Sequence, residues 1–176
     1  KRGRSILWSI GQSFEEIIQK GLRMIGQGMH GFVGNREMTF ENVEEALSNP
    51  TDLRIFAIAD AFEKGYSVEK IEDLTKIDKW FLGKLENIFK YSRILASFNK
   101  IEELPKEVLK EGKRLGFSDF QIARFVENKQ GTLEEDLLRV RAYRKSLDLK
   151  PVVRRINTVA SENPGKTNYL YFTYDA

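Results

Sequence analysis

From Ser13 to Thr132 one local grammar recurs: a small polar residue, then apolar residues spaced by three and four, then a glycine, proline or asparagine. That spacing puts apolar side chains on one face of a helix, and the polar residue ahead of it offers an acceptor to the first-turn amides. Ser13 starts a helix with Glu16 as capping-box partner and Phe14, Ile17, Ile18, Leu22 and Ile25 as its apolar face. Thr39 reads as the cap of a short helix carrying Phe40, Val43 and Leu47, which stops before Asn49-Pro50 because the residue preceding a proline is pushed out of the helical region. Thr51 opens the next, with Ile55, Phe56, Ile58, Ala59 and Phe62, closed by Gly65. Ser67 caps a short helix with Val68, Ile71 and Leu74, and Asp78 a long one with Phe81, Leu82, Leu85, Ile88, Phe89 and Leu95. Pro105 begins a helix ending near Gly116, Ser118 caps one with Ile122, Phe125 and Val126, and Thr132 with Glu135 forms a second capping box before Leu133, Leu137 and Leu138.

The chain ends read differently. Ile6-Leu7-Trp8-Ser9-Ile10 is a candidate strand, and GQGMHGFVGN (26–35), with four glycines in ten residues, is a loop. Val152, Val153, Ile156 and Val159 are strand or irregular; SENPGK (161–166) is a loop, and TNYLYFTY (167–174) is β-prone. With nothing after it to pair with, that last segment suggests a longer parent chain. A weak repeat links Gly65-Tyr66-Ser67-x3-Ile71 to Gly116-Phe117-Ser118-x3-Ile122, 51 residues on. Two copies are too few for a solenoid. The expected fold is mostly α: two small helical subdomains packed together, with short strand or irregular segments at both ends.

Composition narrows the chemistry. The 176 residues hold 41% hydrophobic and 31% charged residues, which suits a folded chain able to bury a core without staples. There is no cysteine, so disulfides, thiolate zinc and thiol catalysis are excluded, and a reducing, cytoplasmic setting is expected. No apolar run is long enough to span a bilayer. A net charge of +3, from 29 bases and 26 acids, gives no basic footprint for nucleic acid or a membrane. His30 is the only histidine and lacks a ligand-type partner at metal spacing. The acid pairs Glu15-Glu16, Glu44-Glu45, Glu102-Glu103 and Glu134-Glu135 fall in first turns or on polar faces, where the helix dipole favours them. No catalytic, cofactor-binding or metal-binding residue is assigned.

The Gly65–Leu85 stretch has the outline of a helix-turn-helix. Its second helix, however, begins Asp78-Lys79-Trp80-Phe81-Leu82, apolar where a recognition helix needs polar and basic side chains. Consecutive helical residues point about 100° apart, so those three cannot share one core. Trp80, Phe81, Leu82, Phe89, Phe56 and Phe117 are the interface or core candidates. A free-standing DNA-binding or adaptor module stays open as the alternative.

Longer stretches carry a resemblance. PTDLRIFAIADAFEKGYSVEKIEDLTKIDKWFL (50–82) resembles the opening of the helical oligomerisation domain of the carbamoyl-phosphate synthase large chain. That region typically reads D-R-I-[FW]-x-[IV]-A-x-A-[FL], then G-[YL]-S-V, then L-T-x-I-D-[RK]-W-F-L. LKEGKRLGFSDFQIA (109–123) and PVVRRINTVASENPGKTNYLYFTY (151–174) resemble later stretches of the family, with Asn157 standing where it has Asp. SIGQSFEEIIQKGLRMI resembles the end of the first synthetase module. The resemblance implies three parts: 1–36 as that module's C-terminal tail, 37–160 as the oligomerisation domain, and 161–176 as a linker into the second module. It implies a parent ligase that uses ATP and Mg²⁺ or Mn²⁺ at sites lying outside this segment. Its implied partners are the adjacent synthetase modules, a glutaminase small subunit and further copies of the large chain, with no nucleic acid and no membrane.

Overall fold

The computed structural model describes residues 7–25, 28–35, 38–126, 132–156 and 169–175. Helices follow where local caps and apolar spacing agree. They are α1 (Phe14–Met24), α2 (Val43–Ser48), α3 (Arg54–Glu63), α4 (Val68–Thr75), α5 (Lys79–Ala96), α6 (Lys106–Arg114), α7 (Asp119–Val126) and α8 (Leu133–Ser146), with a 3₁₀ turn at Ile101–Glu103. The side chains of Ser13, Ser67 and Asp78 each accept a first-turn amide as the sequence predicts, and Thr132 with Glu135 closes a reciprocal capping box.

Two helix starts differ from the sequence reading. Asn42, not Thr39, caps α2, its Oδ1 accepting the Glu45 amide at 3.1 Å. The backbone of Phe40 is held instead by α3: its N–H donates to Asp60 Oδ2 and its carbonyl accepts from Lys64 Nζ. Thr51 does not cap α3 either; its carbonyl, not its hydroxyl, accepts from Arg54 N at 3.2 Å, and the helix begins after Leu53 without a side-chain cap.

One hydrophobic core runs from Leu22 to Leu149. α5 is its spine. Leu82, Leu85, Ile88 and Leu95 are buried along one side, each contributing about 1.5–3 kcal/mol by leaving water. α3 and α4 lie against it in the first half of the bundle, α6 and α7 in the second, and α1 packs on it from the N-terminal side.

The ends are not as read. Residues 7–10 form no strand. β1 (Val152–Arg155) and β2 (Leu170–Thr173) pair antiparallel, Val152 opposite Thr173 and Arg155 opposite Leu170. The aromatic segment therefore pairs with a strand that precedes it, a long-range pairing that local pattern does not reveal. SENPGK and Asn157 lie outside the described residues.

Candidate functional site

α1 departs most from its sequence pattern. It buries Glu15, Glu16, Gln19 and Leu22 and leaves Met24 and Ile25 exposed. Glu15 and Glu16 are thus not on a polar face. Glu16 keeps half of its expected capping box: Ser13 Oγ accepts its amide, but its carboxylate accepts from Gln12 N at 2.7 Å instead of from Ser13 N. The same carboxylate takes Lys20 Nζ at 2.7 Å and the Thr173 hydroxyl at 3.1 Å. Glu15 meets Lys84 at 3.4 Å and Asn87 Nδ2 at 3.2 Å. Gln19 Oε1 accepts from Phe32 N at 2.9 Å and Gln121 Nε2 at 3.2 Å, while Arg23 donates to Gly116 O at 2.7 Å and Gln121 Oε1 at 3.2 Å. A polar stripe repeating at 16, 19 and 23 thus ties the glycine-rich loop, the α6–α7 turn and β2 to one helix, and Glu15 adds α5. A buried polar group is tolerated when its hydrogen bonds are made; several of those made here are long-range, and Gln19 Nε2 is left without a partner among the described residues.

Beside it lies a second buried charge cluster. Asp119 takes Lys113 Nζ at 2.7 Å and Arg144 Nη2 at 3.1 Å, and both cations lie over the Tyr174 ring, at 5.0 and 5.5 Å from its centroid. Burial pushes the Lys113 ammonium down to about 8, against the pull of Asp119. Burial alone would raise the Asp119 carboxyl, but Lys113 and Arg144 outweigh it and hold it below its usual value. Burial also pushes Arg23 down to about 10, with Glu16 opposing. Sequence reading missed these residues; the 3–4 spacing of Glu16, Gln19 and Arg23 was the one signal available.

The candidates from sequence are split by the fold. Leu82, Phe56 and Phe117 are buried, and Phe89 is half-buried against Phe62 at 5.6 Å between ring centroids. Trp80 and Phe81 are 55% and 43% exposed, although Phe81 shares the sequence stripe of Leu82 and Leu85. They form a triangle with Phe14: centroids lie 5.9 Å (Phe14–Trp80), 5.4 Å (Phe14–Phe81) and 4.9 Å (Trp80–Phe81) apart. Phe81 lies on the rim of the core, against Phe14 and Trp80, while Leu82 in the same turn is fully buried. A second exposed apolar area joins Trp8, Met24, Leu170 and Phe172. His30 stacks on Phe120, and burial, then Arg124, hold its pKa below the ordinary value.

The family model for the carbamoyl-phosphate synthetase large chain, oligomerisation domain, matches residues 7–148. The chain belongs to that family. Among relatives of this oligomerisation domain, the multifunctional protein URA2 of Saccharomyces cerevisiae is 46% identical over 169 residues, covering 96% of this chain and 7% of that protein. The mitochondrial arginine-specific carbamoyl phosphate synthase large chain of Schizosaccharomyces pombe is also 46% identical over 169 residues, with 96% and 14% covered. The multifunctional protein CAD of Squalus acanthias is 44% identical over 168 residues, with 95% and 7% covered. The chain therefore spans a small part of these relatives' length.

Among the described residues no group of three or more histidine or acidic side chains is placed to hold a metal ion. The buried acids Glu15 and Glu16 and the half-buried Asp119 each meet a lysine or arginine, and the buried Asp136 lies 3.9 Å from Arg139 with one carboxylate oxygen lacking a hydrogen bond among the described residues. Among the described residues, too, no helix is long and apolar enough to cross a membrane.

Proposed function

We propose that this chain is a non-catalytic helical connector and oligomerisation segment of a carbamoyl-phosphate synthase large chain. The parent would be an ATP-dependent ligase making carbamoyl phosphate from bicarbonate, glutamine-derived ammonia and two ATP, for arginine and pyrimidine synthesis. The observation that carries this reading is the oligomerisation-domain match over residues 7–148. The tightly neutralised acids of α1 and α7 support it, since an acid held by a cation is poorly placed for proton transfer. Residues 1–36 act as the tail of the first synthetase module, 37–160 as the oligomerising body and 161–176 as the linker into the second module. Its partners are those modules, further copies of the large chain and, through the parent, a glutaminase small subunit. ATP and Mg²⁺ or Mn²⁺ act in the parent outside this segment, and the setting is cytoplasmic.

The test uses the full-length large chain. Charge substitutions at exposed apolar positions of this segment should change the assembly's mass in sedimentation while ATP turnover by each synthetase module persists. Loss of turnover in an assembly of unchanged mass would overturn the reading.

A further inference from the structure

The outer side of α5 carries a stripe spaced three and four residues apart: exposed Trp80, half-buried Gly83, and exposed Asn87, Lys90 and Ile94. That 3-4-3-4 order is the spacing by which two helices mesh along a seam. Trp80 and Ile94 are exposed large apolar residues, 55% and 45% open. Gly83 sits inside an 18-residue helix, and a Cβ there would meet nothing. A glycine inside a helix costs about 1 kcal/mol against alanine, and nothing among the described residues uses the space it leaves.

The stripe is also self-complementary. Trp80 and Ile94 each lie seven residues from Asn87. When two copies of α5 run antiparallel about a two-fold axis at Asn87, Trp80 faces the partner's Ile94. Gly83 then leaves room for the stems of the partner's Lys90 and Tyr91, and Asn87, whose Nδ2 also donates to Glu15 at 3.2 Å, meets its own copy. An isologous contact needs this symmetry, and an asparagine on such a seam fixes register. Charge does not oppose the pairing: Lys84 is held by Glu15, Lys90 by Glu86 at 2.9 Å, and Arg93 by Glu63.

We propose that the exposed face of α5, centred on Asn87, is the surface through which two copies of this chain associate. The proposal rests on the oligomerisation reading and assigns it a surface. The chain has no cysteine, so Asn87→Cys introduces a unique thiol on the proposed axis. Under mild oxidation of the 176-residue chain, this variant should give a disulfide-linked dimer, and the control Leu138→Cys on α8 should not. In sedimentation equilibrium, Trp80→Glu and Ile94→Glu should each raise the dimer Kd by at least about 30-fold, as expected for an interface anchor. Gly83→Leu should weaken association while leaving the circular dichroism spectrum intact, which separates crowding of the seam from loss of fold.

If association survives all three stripe substitutions, or is abolished by Trp8→Glu and Phe172→Glu instead, this surface is wrong and the oligomerisation reading stands. If the unaltered chain stays monomeric at millimolar concentration and Asn87→Cys does not cross-link, this surface is wrong, and the oligomerisation reading is then decided by sedimentation of the full-length large chain.

Discussion

The two glycine–aromatic–serine turns are the same local object in different surroundings. In the first, Gly65 has φ +80°; its amide donates to Phe62 O at 3.0 Å and the Tyr66 amide to Ala61 O at 2.9 Å. In the second, Gly116 has φ +86°; its amide donates to Lys113 O at 3.0 Å and the Phe117 amide to Gly112 O at 3.0 Å. Both are Schellman closures, and both lead into a serine cap. Around Gly65, however, an added Cβ would meet nothing, whereas at Gly116 it would lie 2.9 Å from Glu16 Cα and 3.0 Å from Gln19 Cβ. Tyr66 is half-buried and Phe117 fully so. The first turn needs glycine for its backbone angle alone. The second needs it also because α1 crosses directly over it.

The widest separation between the two turns should come from the aromatic residue. Phe117→Ala should cost about 3–5 kcal/mol, the loss of a fully buried ring and the cavity left behind, against about 1 kcal/mol for Tyr66→Ala. Equal losses in urea denaturation would dissolve the contrast.

The glycines come next. Gly65→Ala should cost about 1–2 kcal/mol, the left-handed strain of a Cβ. Gly116→Ala should cost about 3 kcal/mol or more, because the contacting atoms include helix backbone that cannot swing aside. Matching values would mean that α1 yields readily.

The second turn should sense alkaline pH. Lys113 stands three residues before Gly116, where the first turn has Phe62. Its folded pKa of about 8 lies below its ordinary 10.5. Below the folded value both states carry the charge, and the folded state bears the burial cost. Between the two values the unfolded chain binds more protons, so stability should rise with pH. The unfolding free energy of the unaltered chain, minus that of Lys113→Met, should therefore climb from pH 8 to 10.5. A flat difference would place Lys113 in water.

The caps should show the smallest contrast. Ser67 Oγ accepts from Lys70 N at 3.2 Å and Ser118 Oγ from Gln121 N at 3.1 Å. Each serine-to-alanine change should cost about 1 kcal/mol. A clearly larger loss at Ser118 would show that tertiary packing reaches into the cap itself.

The caps and closures were legible because their partners lie three to five residues away. Of the site, the resemblance in 50–82 pointed to the family, and the Trp80-Phe81-Leu82 run drew attention to α5. It did not say which of the three stays outside. That answer depends on where α1 lays Phe14 across the first turn of α5. Thr39 and Thr51 misled because Asp60 and Lys64 hold Phe40 and because the Thr51 carbonyl closes its own turn.

By itself, then, the sequence set which stretches are helical, where most of them start and stop, and that two turns share one design, since those are contests between neighbouring groups. Only the tertiary structure decided that α1 turns its acids and Gln19 inward. Their cost in lost water is offset by partners as distant as Lys84, Gln121 and Thr173. It alone paired β2 with β1, and it alone made Gly116 a crossing point while Gly65 stayed in the open. Each of these depends on contacts between residues far apart in the chain, and no local pattern encodes which distant group will be there to complete them.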